Sequence, residues 1–573
     1  LVHGGNYTNR GPNWLIVLLG RTPHLRPMQW ILRAIIRNTE YMLRNTDGNG
    51  LSKDNDAILI IFLNPLCEIC CTRLRTPKLD VLCNQMLTRS VLTAIIQFLM
   101  AKTLRTTGKK REKKSSSEFA KVKVKKPFRT YQQAIDYLFA KTDYEKQERL
   151  SYNVTTFSLD RMVKLLSLLG NPHNKIHTVH IGGTKGKGST ATMLARMLEA
   201  NGYKVGLYTS PHVVHLHERI MVNSEMLTEA EMRDLLNRIY APVEKMSKTP
   251  PTFFEIMTAL AFMYFVDKRV DIAVIETGMG GRLDSTNVIQ PDVVGITSLS
   301  IDHTQQLGNT IDLIAEEKAG IFKRGVPAIT VQQDPAAMQV LRARALAVKA
   351  PLSVTGTDID FSHRFETSRE HGPHTRICLT TPTSKFEHLR VPLHGNHQAI
   401  NCGLALAMLD KLKTMGYKID NDKTVEGLDK VSLAGRMEMI SQDPRILIDG
   451  AHNAASIQAL MHAIGQNIPY DSMVVIFGCN NDKDVRGMLD KLQYGADKVI
   501  FTRSNSVKAT PPEELADLYT EICGKMCQTA ASLGPALQLA KSAISKEDLI
   551  CITGSFYLVG QAKLRFQPPS TPA

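Results

Sequence analysis

No stretch of this chain reaches the roughly 18 consecutive apolar residues that a membrane-spanning helix requires. The longest candidates, residues 15–19 and 57–63, are far too short. The composition is that of a soluble globular protein with no membrane partner. Cysteine occurs at ten positions but without the spacing of a disulfide framework. Cys67, Cys70, Cys71 and Cys83 lie close together, yet the paired second half of a zinc site is missing. Reduced thiols in an intracellular protein are the expectation. No internal repeat of fixed period is visible.

Acidic residues are scarce in one region only. Residues 1–126 hold 22 Lys and Arg against 8 Asp and Glu, whereas the remainder holds 48 against 47. The net charge of +15 therefore belongs to a leader. A localised basic arm without a recognition fold argues against a nucleic-acid partner. Residues 1–85 show no sustained helical or strand period and begin with Leu1. They read as an extraneous or disordered extension. Residues 86–105 contain no acidic residue, and hydroxyl and basic side chains punctuate an apolar helix former. That pattern fits a transit peptide, so residues 86–127 are expected to be a leader and linker. A mitochondrial location follows, with a plastid or the cytoplasm as alternatives. The basic run 109–114 can also be read as a nuclear-localisation patch, on composition alone.

Globular sequence begins near Phe128. Short apolar runs at 176–181, 204–208, 271–276, 292–299 and 327–331 alternate with helical patterns at 189–200, 253–266 and 311–322. Continuous apolar strands between helices predict a parallel sheet covered on both faces. A second series starts after about Ser432, with strands at 446–449, 473–477, 498–502 and 548–553. The expected architecture is α/β: a larger domain over 128–431 and a smaller Rossmann-like domain over 432–573.

The strand at 176–181 runs into Gly182-Gly183-Thr184-Lys185-Gly186-Lys187-Gly188-Ser189-Thr190, and a helix follows. Strand, glycine turn and helix together hold phosphate. Glycine lets the backbone approach the anion, and the first helical N–H groups have no partner inside the helix. Lys187 adds charge, and Ser189 or Thr190 adds a hydroxyl that can bind Mg²⁺. Gly188 separates Lys187 from Ser189, unlike the standard loop, where Lys directly precedes Ser or Thr. The strand at 271–276 delivers Glu276 to its carboxyl end, where a carboxylate beside a phosphate loop suits Mg²⁺. His303, in Asp302-His303-Thr304, follows the next strand and could serve a second metal site. Lys318 lies in Glu316-Glu317-Lys318-Ala319, normally a solvated helix face. In the second domain, Asp449 could accept from ribose hydroxyls, His452 could face a phosphate or base, and Arg436 could contact phosphate or simply lie on the surface. The cluster from His394 to Asn401 opens a helix, and such clusters are often only caps.

Nine motifs in order resemble the dihydrofolate synthase/folylpolyglutamate synthase family of the Mur-ligase superfamily. They are the glycine loop, Thr209-Ser210-Pro211-His212, Glu218-Arg219-Ile220, Glu276 through Asn287, Asp302-His303-Thr304, Glu317-Lys318-Ala319-Gly320, Gly395-Asn396-His397-Gln398, Gly435-Arg436 and Asp449-Gly450-Ala451-His452-Asn453. The match spans roughly residues 128–565. The resemblance implies a Mur-ligase-like P-loop ATPase domain, a C-terminal glutamate-ligase domain, and an ATP-dependent amide ligase that adds L-glutamate to a pteroate carboxylate. It implies that Gly183, Thr184, Lys185, Gly186, Lys187, Gly188, Ser189 and Thr190 hold ATP phosphate, with Asn401, Arg436, Asp449 and His452 contacting ATP from two domains. It implies two Mg²⁺ ions, one on Ser189 and Glu276 and one on His303, with a monovalent cation as a further candidate. Lys318 matches a lysine that some members carbamylate into a metal ligand. Lys187, His303 and Lys318 are the implied catalytic residues. Phe254 and Asp284 match pterin-pocket positions, and Arg219 is a further candidate substrate contact. Leu283, where Tyr is frequent in eukaryotic folylpolyglutamate synthases, points to dihydropteroate as acceptor and is most like plant members; the alternatives are polyglutamylation of tetrahydrofolate, a bifunctional enzyme and, more remotely, a P-loop nucleotide-hydrolysing switch. A monomer is expected.

Overall fold

The computed structural model describes residues 127–143, 158–302 and 304–567. The leader expectations for 1–85 and 86–126, the cysteine group 67–83 and His303 lie outside the described residues.

Eight strands form the first sheet: β1 His177–Gly182, β2 Val205–Tyr208, β3 Ile220–Val222, β4 Glu225–Met226, β5 Ile272–Glu276, β6 Val293–Ile296, β7 Ala328–Thr330 and β8 Leu352–Val354. Their order is β4-β3-β2-β5-β1-β6-β7-β8, and all neighbours are parallel except β2–β3 and β3–β4. The central strands β5 and β6 are buried along their whole length because both faces are covered, whereas the edge strand β4 is exposed. Alternate residues of β5 divide between two cores. Ile272 and Val274 pack with the helix Lys187–Ala200, while Ala273 and Ile275 pack with the helix Phe253–Lys268. That second helix is apolar on every side, as a helix enclosed by protein must be. A reciprocal Thr252–Glu255 capping box fixes its start.

The chain then forms an antiparallel sheet of β9 Asp360–Ser368, β10 Gly372–Thr380 and β11 Lys385–Arg390. Its apolar residues Ile377, Leu379 and Phe386 join the core of the helix Asn396–Thr414. The sequence pattern did not predict this sheet.

The second α/β sheet comprises β12 Glu438–Gln442, β13 Arg445–Ile448, β14 Met473–Phe477, β15 Lys498–Thr502, β16 Gln528–Ala530 and β17 Leu549–Thr553. Its order is β12-β13-β17-β14-β15-β16, parallel except for the β12–β13 pair. Met473, Val475 and Phe477 face one core, and Val474 and Ile476 the other. The architecture is two α/β sheets, as expected. Among the described residues, no helix is long and apolar enough to cross a membrane.

Candidate functional site

Polar residues collect at the carboxyl ends of β1, β5 and β6, which are adjacent. Ile181 pairs with Glu276, and Gly182 with Ile296. Parallel order therefore places the glycine loop between Glu276 and the segment after β6, where open α/β sheets bind ligands.

Two glycine positions of the loop have no room for a side chain. Gly183 has φ +139°, and a Cβ there would lie 1.8 Å from Thr297 Oγ1. Gly186 has φ +86°, and its Cβ would lie 2.1 Å from Asn401 Oδ1. The helix begins at Lys187, two residues earlier than expected, with Gly186 as a left-handed N-cap that makes no side-chain cap bond. The first N–H groups are thus not capped by the preceding side chain. Lys187 Nζ lies 4.0 Å from Glu276 Oε1, and Glu276 Oε2 accepts from Ser210 N at 3.0 Å. Burial pushes the Glu276 carboxyl up; Lys187 and the Ser210 amide oppose it. Ser189 is buried in the first helical turn.

Lys318 corrects an expectation. It does not lie on a solvated face but is buried, and its Nζ donates to Gly183 O at 2.7 Å. Its helix, Ile311–Ala319, ends three residues before the expected limit, and Gly281 fits closely against its last turn. Burial first, and the charge of Lys187 second, lower the Lys318 pKa to about 7.

Lys185 points toward the second domain. Its Nζ donates to Asp302 Oδ2 at 2.8 Å and lies 3.4 Å from His452 Nε2. Burial lowers its pKa to about 8, against the attraction of Asp302. His452 Nδ1 lies 2.8 Å from Gly450 O, which can only accept, so Nδ1 carries the proton and Nε2 faces Lys185 as a lone pair. Burial and the two nearby lysines, Lys185 and Lys483, hold His452 neutral, well below the usual histidine range. Asp449 sits at the end of β13 and accepts from Met437 N and Ala451 N at 2.9 and 2.8 Å. Arg436 is not a free surface arginine: its guanidinium lies over the Phe556 ring, 4.8 Å from the centroid. Asn401 is buried inside the helix Asn396–Thr414 and donates to Gln398 at 3.1 Å.

The residues matched to the acceptor pocket come from three segments: Arg219 just before β3, Phe254 in the helix Phe253–Lys268 and Asp284 in the loop after β5. Arg219 is 1% exposed, with its Nε on His212 Nδ1 at 3.0 Å and its guanidinium over Phe253. Phe254 lies tightly against Gly278 and near the ring of Tyr208. Asp284 faces its own loop, accepting from Met279 N and Thr286 N at 2.9 and 3.0 Å. Here its carboxylate shapes the turn, so any contact it makes with an acceptor is secondary to that role.

Lys483 and Phe556 were not singled out from the sequence, and Asn453 and Gln398 appeared only inside motifs, with no role assigned to them. The available signal was position: Lys483 follows β14 at the carboxyl edge of a parallel sheet. The described residues contain no group of three His, Cys, Asp or Glu side chains arranged for a metal. The Ser189 hydroxyl and the Glu276 carboxylate are hard oxygens near the start of the loop's helix.

The chain matches the Mur ligase middle domain over residues 181–409 and the Mur ligase, glutamate ligase domain over 435–556. It is 34% identical over 425 residues to a dihydrofolate synthase/folylpolyglutamate synthase of Bacillus subtilis, covering 73% of this chain and 97% of that protein. It is 32% identical over 426 residues to the dihydrofolate synthetase of Saccharomyces cerevisiae, covering 70% and 96%. The Mycobacterium tuberculosis folylpolyglutamate synthase complexed with ADP and AMPPCP superposes with a TM-score of 0.69 at 31% identity, covering 77% of this chain and 99% of that one. An FPGS–AMPPCP–folate complex gives 0.65 at 30%, covering 77% and 100%.

Proposed function

The chain belongs to the dihydrofolate synthase/folylpolyglutamate synthase family of Mur ligases, and we propose that it joins L-glutamate to 7,8-dihydropteroate at the expense of ATP, giving dihydrofolate. The observation that carries the reading is the buried array at one carboxyl edge: the glycine loop, Lys187 beside Glu276, and Lys318 on the loop carbonyl. Lys187 and Lys318 place positive charge beside a loop whose glycines leave the backbone open to close approach, which suits a polyphosphate.

A carboxylate is a poor electrophile. Its oxygen attacks the γ-phosphorus of ATP, ADP leaves, and an acyl phosphate forms. The glutamate amine attacks the acyl carbon, loses a proton, and expels phosphate. Lys187 supplies positive charge for the transferring oxygens, and the unbonded N–H groups of its helix add to it. Arg436, Asp449, His452 and Asn401 orient the nucleotide from both sheets. Neutral His452 suits a contact with a base or hydroxyl better than one with phosphate. Ser189 and Glu276 fit Mg²⁺ by donor type, being hard oxygens within the reach of one loop. A bound Mg²⁺ would neutralise charge on the nucleotide phosphates; His303 and a carbamylated Lys318 would serve a second ion. Phe254 offers a ring face to the pteroate, whereas Arg219, held by His212 and Phe253, is enclosed by protein.

Dihydropteroate is favoured over tetrahydrofolate by Leu283 in Gly280-Gly281-Arg282-Leu283-Asp284 and by the relatives named for dihydrofolate synthesis. The second reading, polyglutamylation of tetrahydrofolate, is supported by the solved neighbours named folylpolyglutamate synthase. Purified chain with Mg-ATP and labelled glutamate, offered each acceptor in turn, separates them. Incorporation with dihydropteroate is expected; incorporation only with tetrahydrofolate overturns the acceptor assignment.

A further inference from the structure

We propose that Asp302 is a positioning residue that clamps the second α/β domain over the phosphate loop. Its carboxylate joins groups from four strand ends in two sheets. Asp302 itself follows β6 of the first sheet. Lys185 comes from the glycine loop after β1 and donates to Oδ2 at 2.8 Å. Asn453, beyond β13 of the second sheet, donates its Nδ2 to the same oxygen at 3.1 Å. Lys483, beyond β14, reaches Oδ1 at 3.4 Å. His452, beside Asn453, faces Lys185.

The Asp302 side chain is 8% exposed, and those of Lys185 and Lys483 are 26% and 15% exposed. Removing the carboxylate leaves two half-buried ammonium groups facing each other without their shared counter-charge. Repulsion between Lys185 and Lys483 then separates the domains that Asp302 had joined. Charge-assisted bonds of this kind are stronger than neutral ones, and burial weakens their screening by salt. Asn453 has two tasks that can be separated. Its Oδ1 caps the helix Ala454–Asn467 through Ser456 N at 2.9 Å, whereas its Nδ2 serves Asp302. Asn453→Ser keeps a good cap and loses the clamp donor.

A clamped interface has a consequence for ligase chemistry. An acyl phosphate must be kept from water, and the loop that holds phosphate must stay aligned with the domain that supplies the other nucleotide contacts. This consequence rests on the ligase reading; the clamp itself does not.

The test uses the full chain with dyes on unnatural azido residues at Leu346 and Met526, exposed positions in the first and second domains. Interdomain distances are read by single-molecule energy transfer without ligand. Asp302→Asn is expected to shift the population to longer distances, and Asn453→Ser to do so in the same sense. The double variant should move no further than the larger single effect. Asp302→Asn should also weaken ATP binding by roughly tenfold, within the usual range of coupling between linked sites, while kcat at saturating ATP falls less. An unchanged distance distribution in Asp302→Asn overturns the clamp. So do additive shifts in the double variant, because they mean that Asp302 and Asn453 act apart. If the distances change as expected but the wild-type chain ligates no glutamate, the clamp stands and the ligase reading fails.

Discussion

Gly183→Ala isolates what the loop requires of its backbone. Two separate penalties follow from the structure. The first is conformational: φ +139° is a region nearly closed to residues with a Cβ, at about 1–3 kcal/mol. The second is steric: the new methyl lies 1.8 Å from Thr297 Oγ1 and 2.9 Å from Thr297 Cβ. Thr297 cannot easily withdraw, because its own N–H and hydroxyl both bond Gly182 O, at 2.9 and 3.3 Å. Overpacking of this kind costs about 1–3 kcal/mol. The combined cost of roughly 2–6 kcal/mol exceeds what a loop can absorb without moving, and Lys318 loses its bond to Gly183 O as the loop shifts. ATP affinity should fall by at least about tenfold, each ~1.4 kcal/mol being one decade. Thr297→Ala on the same background removes the shortest contact but leaves the backbone penalty, so recovery should be partial. Gly202→Ala is the control. It has φ +91° with nothing within 4 Å, so it should lose a little stability and bind nucleotide normally. Calorimetric titration with ATP and thermal unfolding read both quantities. Wild-type ATP affinity in Gly183→Ala would refute the reasoning, and full recovery by Thr297→Ala would refute the backbone term.

Lys187→Ala should abolish glutamate incorporation while circular dichroism and thermal unfolding remain near wild type; retained turnover would show that the charge serves another purpose. Activity of Lys318→Ala should be partly restored by short carboxylates if the lysine acts as a carbamate, and an absence of rescue removes that role. Lys318 also makes a linkage prediction for the unmodified chain. Its folded pKa of about 7 lies below the ordinary 10.5. Between these values the unfolded chain binds a proton that the folded chain does not, so this residue makes stability rise with pH there. Below pH 7 both states hold the proton and the penalty is fully present. The stability advantage of Lys318→Met over wild type should therefore shrink as pH goes from 7 to 9, by at most about 1.4 kcal/mol per unit; a pH-independent difference would contradict it. A reporter fused to residues 86–127 should enter mitochondria, and a purely cytoplasmic signal would dismiss the transit reading.

Strands enclosed on both faces were the most legible part of the chain. Residues 473–477 are an unbroken apolar run and 498–502 carry the apolar core Val499-Ile500-Phe501, and the observed β14 and β15 have those bounds. The sheet of β9 to β11 was not legible. In Phe361-Ser362-His363-Arg364-Phe365-Glu366 most side chains stay partly exposed, so neither an apolar run nor a clean alternation marks the strand. The glycine loop and Glu276 were legible because the motif and its strand are contiguous. The burial of Lys318 was not, because helix periodicity beside Glu316 and Glu317 suggests solvent, and the segments that meet it, at Gly281 and Gly183, are distant in sequence. Asp302 was noticed only as the neighbour of His303. Its partners are 117, 151 and 181 residues away, a distance over which local pattern carries no information.

The central claim is that ATP activates a carboxylate. Dihydropteroate labelled with ¹⁸O in its carboxylate tests this directly, with Mg-ATP, glutamate and the purified chain. If the carboxylate oxygen attacks the γ-phosphorus and the amine then expels phosphate, the inorganic phosphate released must carry one ¹⁸O. Mass spectrometry of phosphate that contains none, at a time when dihydrofolate has formed, would contradict the account.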